Sequence, residues 1–175
     1  MDAQTSPQGI VDKAKLAYQN GEYAEAAQYF SEAVKAYMDL NDTLMAAEMQ
    51  NNQSVALLRA KQPQAALEAV QRTDGVFAKF GDGRRQGMAL ANEASALQSL
   101  KRFKEAIEKF NQAGEVLQKA EEGDLRVEVM QLLATLYLRR FKFYEAILAL
   151  QSGLAGVKNP TARQRLMKKI LFMRL

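Results

Sequence analysis

Small and apolar residues return along this chain every 40 positions. Ala26, Ala66, Ala106 and Ala146 mark one beat, and Ala14, Ser54, Ala94 and Ala134 stand twelve residues before it. Around the beat, Tyr23, Pro63, Phe103 and Phe143 lie three positions earlier and Phe30, Val70, Phe110 and Leu150 four positions later. Ala27, Leu67, Ile107 and Ile147 follow it directly, and Ala33, Thr73, Ala113 and Gly153 come seven positions after it. Positions i, i+1, i+4 and i+7 share one face of a helix. The stretches before the beat, LANEASALQSL and VMQLLATLYL, have the same periodicity. Each unit is therefore predicted to be two antiparallel helices, and a period of this length means one supersecondary unit repeated four times. The turns within units are read at QNGEY, RAKQP, LKRF and RRFKF, and the links between units at LNDT, FGDG and EGDL.

The breaker residues agree with these boundaries. Pro7, Pro63 and Pro160 are the three prolines, and each falls where a helix should begin, a position at which its missing N–H costs nothing. Ser6 and Asn159 precede two of them as expected N-caps. The links are read as supplying Asp or Asn with Gly for helix ends. Gly75 and Gly83 make the outer helix of the second unit the one expected to bend.

Composition narrows the function. The 175 residues contain neither cysteine nor histidine, so disulfides, thiolate zinc sites and the usual near-neutral general base are absent. No metal site or cofactor is expected. The first residues lack a basic segment followed by an apolar one, and no apolar run has the length of a membrane span. A cytoplasmic setting is expected. Residues 160–175 hold Arg163, Arg165, Lys168, Lys169 and Arg174 with no acid, so taking this +5 from the chain's +4 leaves −1 for residues 1–159. A near-neutral body does not fit nucleic-acid binding, which needs a basic face across the fold.

The pattern small, x2, apolar, turn, aromatic, x2, Ala, apolar, x2, aromatic, x2, small resembles the tetratricopeptide repeat (TPR). GEYAEAAQYFSEAV, RFKEAIEKFNQAG and FYEAILALQSGL carry it best; the second unit departs from it at Pro63 and Thr73. The usual repeat has about 34 residues and closes with proline. The longer period here predicts helices extended by about one and a half turns per repeat, similar to the repeats of Pins-type scaffolds and of bacterial peptide-pheromone sensors. The resemblance implies an all-α, right-handed α-solenoid forming one domain over residues 1–175. Its four helix-turn-helix repeats are placed at about 7–41, 42–81, 82–123 and 124–158, with a capping helix at 159–175.

The resemblance also implies that the first helix of each pair lines a concave, peptide-binding groove. The matching positions are Lys15, Tyr18 and Gln19; Glu48, Asn51, Asn52, Val55 and Arg59; Met88, Asn92, Ser95 and Gln98; and Glu128, Gln131, Thr135 and Arg139. Most are amides, hydroxyls or long cations, which suit hydrogen bonding to an extended backbone. Asn52 and Asn92 share one column, and a side-chain amide can pair with both groups of a peptide unit. They either form such a ladder or satisfy neighbouring helix groups. The family's lysine, arginine and asparagine clamp for a terminal carboxylate is not matched, because its positions hold Val11 and Lys15, Met88 and Asn92. Chaperone-tail recognition is not expected.

The tail reads as a helix capped by Asn159 and started by Pro160. Leu166, Ile170 and Met173 form its stripe, widened by Met167 and Leu171. It is read as a cap over the fourth unit, with two alternatives: a basic amphipathic helix for a membrane or partner, and a surface that pairs two chains. The expected function is a non-catalytic adaptor or scaffold binding a protein or peptide. The alternatives are a peptide-sensing regulatory domain and a self-associating scaffold. An enzyme is not expected, since no phosphate loop, paired nucleophile or metal-ligand set is present.

Overall fold

One three-residue turn, used seven times, organises the chain. The structure is a computed structural model that describes residues 6–155 and 157–172. Its helices are α1 (Pro7–Gln19), α2 (Tyr23–Asp39), α3 (Thr43–Arg59), α4 (Pro63–Val70), α5 (Thr73–Lys79), α6 (Gly83–Ser99), α7 (Phe103–Lys119), α8 (Gly123–Arg139), α9 (Phe143–Ala155) and α10 (Ala162–Phe172). Turns at 20–22, 40–42, 60–62, 80–82, 100–102, 120–122 and 140–142 stop one helix and start the next. The middle residue of each has a left-handed backbone: Gly21 and Gly81, then Asn41, Lys61, Lys101, Glu121 and Phe141. Its N–H donates to the carbonyl three residues back, and the N–H of the next residue to the carbonyl five back, as with Glu22 to Ala17 and Lys142 to Tyr137 at 2.9 and 3.0 Å. These paired bonds satisfy carbonyls that a helix end leaves open.

The chain thus folds on a 20-residue structural period inside its 40-residue sequence period, and the helix pairs stack into an α-solenoid. Both small columns are buried, from Ala14, Ser54, Ala94 and Ala134 to Ala26, Ala66, Ala106 and Ala146, with exposures of 0–2%. Phe30 and Phe110 fill the core between them. The two helices of a pair and the helices of neighbouring pairs pack on one another, and α3 meets α6 and α6 meets α8, so the first helices of units two to four form a row. Pro7 and Pro63 take the first helical position of α1 and α4, and the Ser6 hydroxyl accepts from the Gly9 N–H at 3.1 Å. Among the described residues every regular element is a helix, and no helix is long and apolar enough to cross a membrane.

Three expectations need correction. The outer helix of the second unit does break, but at Gln71 and Arg72, with φ +69° at Arg72, before Gly75 is reached. The buried Thr73, in a column of alanines and glycine, donates its hydroxyl to the Val70 carbonyl at 2.8 Å. The break frees that acceptor, and Phe77 then seals a small core of its own with Ala47, Val70 and Ala89. The third link turns at 120–122 rather than at EGDL: Glu121 takes the left-handed position and Gly123 opens α8. Equal spacing of the packed helices sets that turn, and glycine does not.

The third correction concerns the tail. Its helix starts at Ala162, so Thr161 and not Asn159 is the cap. The Thr161 hydroxyl accepts from the Gln164 N–H at 3.2 Å, and the Gln164 side chain accepts from the Thr161 N–H at 2.7 Å, a reciprocal box. Gln164 reaches Asp124, and Gln151 donates to the Leu171 carbonyl. These bonds turn Gln164, Met167 and Leu171 inward. Leu166 and Ile170 of the expected stripe face outward at 59% and 61% exposure, so α10 covers α9 without burying a side chain of its own. Met173, Arg174 and Leu175 lie outside the described residues, as do residues 1–5.

Candidate functional site

The first helices carry two clefts, one between units one and two and the other between units three and four. The first, about 280 Å³, lies between the C-terminal halves of α1 and α3. Lys15, Tyr18 and Gln19 come from α1 and Asn52 and Val55 from α3, with Phe30 of α2 at the floor. Helical geometry brings them together, since residues three and four apart share a face. Lys15, Gln19 and Asn52 have no hydrogen-bond or ion-pair partner among the described residues. Arg59 closes the end: its Nε donates to the Tyr18 hydroxyl at 3.4 Å, and its guanidinium lies 5.8 Å from the Tyr23 ring centre. The Tyr18 bond holds the Arg59 guanidinium above its ordinary value, fully charged. Tyr23 in turn meets Tyr18 edge to face at 5.2 Å.

The second cleft, about 570 Å³, is lined by Gln98 and Ser99 of α6, Lys101 of the turn, Phe103 of α7, and Leu136, Arg139 and Arg140 at the end of α8. Arg140 covers the Phe103 ring at 4.5 Å. This repeats the arrangement of Arg59 over Tyr23. Between the two clefts the column holds Pro63, which offers no aromatic ring to a cation.

The remaining expected site residues divide. Asn51 is buried at 6% exposure and accepts from the Asn92 amide at 2.8 Å. This pair ties α3 to α6, so Asn92 serves packing while Asn52, its partner in the column, stays free. Ser95 donates to the Ala91 carbonyl and Thr135 to the Gln131 carbonyl, bonds within their own helices. Glu48 receives Arg85 at 2.7 Å, which Asp82 also holds at 2.6 Å. Gln131, Met88 and Glu128 remain at or near the surface, away from both clefts. Sequence reasoning missed Phe30, Ser99, Lys101, Phe103, Leu136 and Arg140 as cleft residues. The aromatic column was visible, but its contact with an arginine of the following unit depends on how the units stack.

A family model described as soluble NSF attachment protein, SNAP, matches residues 10–153, most of the chain. No curated protein matches the chain. Among solved structures, the nearly identical TPR-like repeats of a protein assigned as a kinesin light chain from Podosopora anserina superpose with a TM-score of 0.73 at 18% identity. The match covers 98% of this chain and 88% of that one. It shows the fold: a TPR-type helical solenoid.

Proposed function

Because the chain belongs to the soluble NSF attachment protein family, we propose that it is a non-catalytic adaptor that grips a segment of a partner protein between α1 and α3. The observation that carries this reading is the first cleft, where Lys15, Gln19 and Asn52 present unpaired donors and acceptors beside the apolar floor of Phe30 and Val55. Such a surface hydrogen-bonds a peptide backbone and shelters a side chain. Its residues supply no nucleophile with a base, so binding is the whole of its proposed chemistry. A cytoplasmic setting is proposed, supported by the cysteine-free sequence.

The test is affinity capture with the wild type beside a Gln19→Ala, Asn52→Ala double variant. Both should melt within a few degrees of each other, and partners should be lost only from the variant. Partners kept equally by both would move the binding surface elsewhere. Attachment also asks for a second contact. The outward Leu166 and Ile170 of α10 favour one, with a second copy as its simplest partner. Mass in solution should then rise with concentration for the wild type and not for Ile170→Lys; equal behaviour excludes self-association through α10.

A further inference from the structure

The cleft between units three and four is chemically unlike its counterpart. It gathers Lys101, Arg139 and Arg140 with no acid in its lining. Eighty residues earlier, the same positions of units one and two hold Gly21, Arg59 and Ala60, so the cation cluster belongs to this pair of units and not to the repeat. The side chains of Lys101 and Arg139 have neither hydrogen-bond nor ion-pair partners among the described residues. The acid nearest in sequence, Glu105, is already held by Arg102 through bonds of 2.8 and 2.6 Å. Three cations held together without a counter-charge repel one another, and a bound anion relieves that repulsion. Stacking on Phe103 orients the Arg140 guanidinium while leaving its in-plane N–H groups for oxygen ligands.

We propose that this cleft binds a compact polyphosphorylated ring of the inositol phosphate class, free or as a lipid headgroup. Its volume of about 570 Å³ far exceeds what one phosphate fills and lies within the range of small-molecule sites. Arg140 lies over the Phe103 ring, so the cleft meets its ligand with cations and hydroxyls more than with a bare aromatic face. Gln98 and Ser99 on the same wall suit ring hydroxyls. The site is separate from the first cleft, and the inference does not rest on the adaptor reading.

The experiment titrates the full chain with inositol hexakisphosphate by calorimetry, at low and high salt. Saturable one-to-one binding that weakens with salt is expected. Lys101→Gln with Arg139→Gln should weaken it by about a hundredfold, roughly tenfold for each charge-assisted contact. Lys13→Gln with Lys79→Gln, which removes equal charge elsewhere, should leave it within about twofold. Ser99→Glu keeps every cation, places an acid in the cleft wall and should also abolish binding. It therefore tests the site even if the double glutamine variant melts early. Co-sedimentation with phosphatidylcholine vesicles, with and without phosphatidylinositol bisphosphate, separates the sources. Capture by the bisphosphate vesicles assigns a lipid headgroup, and calorimetric binding without capture assigns a soluble ligand. Failure to bind either form, equal loss in the Lys13 and Lys79 control, or tighter binding of a phosphoserine peptide would overturn the proposal.

Discussion

Ser54 stands where the other three units have Ala14, Ala94 and Ala134, and its fully buried hydroxyl finds no hydrogen-bond partner among the described residues. A buried polar group without a partner costs about 1–3 kcal/mol, so Ser54→Ala should raise stability by about 1 kcal/mol in urea unfolding. Arg126 is the larger conflict. Among the described residues only its Nη2 is bonded, to Ser152 at 2.9 Å, while Nε and Nη1 are buried without a partner. Burial pushes its guanidinium below the ordinary value, which for a cation means the folded state opposes the charge. Relief comes only at very high pH, so at neutral pH the charge is a standing cost. Arg126→Met should therefore stabilise the chain by roughly 1–2 kcal/mol, read as a higher melting temperature. Asp82 works the other way. Burial raises its carboxyl, but the Arg85 N–H at 2.8 Å and the Arg85 guanidinium outweigh this and hold it below its usual value. Its contribution is complete above the unfolded carboxylate value of about 3.9 and fades as pH falls through the lower folded one. Asp82→Asn should cost about 1 kcal/mol at neutral pH, and the gap from wild type should close below about pH 4.

At the scale of helices, the periodicity made the pairs legible and hid the rule that ends them. Helix faces were readable because burial selects residue type at each column. The left-handed turn position selects weakly, as Lys61, Lys101, Glu121 and Phe141 occupy the place that Gly21 and Gly81 fill. A side chain there costs roughly 1–2 kcal/mol, offset in part by the greater unfolded freedom of glycine. Lys61→Gly should thus stabilise by about 0.5–1 kcal/mol, and a change of the opposite sign in denaturant unfolding would mean that Lys61 makes a contact of its own. Close helix crossing was legible at the alanine beat but not at Gly87. A Cβ built there meets Leu117 Cγ at 2.5 Å, and α6 passes α7 within the room that only glycine leaves. The rotation of α10 was not legible either. Its apolar residues suit two faces equally, and the bonds from Gln151 and Gln164 decide between them.

For the molecule as a whole, the repeat count and the helical class followed from residue pattern, and the assignment of the first helices to the groove from the family resemblance. The division of polar residues on those helices did not. Asn51 and Asn52 are neighbours of one type, yet a helix turns them about 100° apart, so one is buried against Asn92 and the other opens into a cleft. Likewise the two clefts differ in charge, a property that appears only when residues of adjoining units are brought together. The central claim is that the partner lies on the inner helices. Site-specific photocrosslinking tests it most directly, with the crosslinker at Gln19 or Val55 in the first cleft and, for comparison, at Lys35 or Glu115 on the outer helices. The account predicts discrete adducts from Gln19 and Val55 that are absent from Lys35 and Glu115. Adducts from the outer positions alone would contradict it.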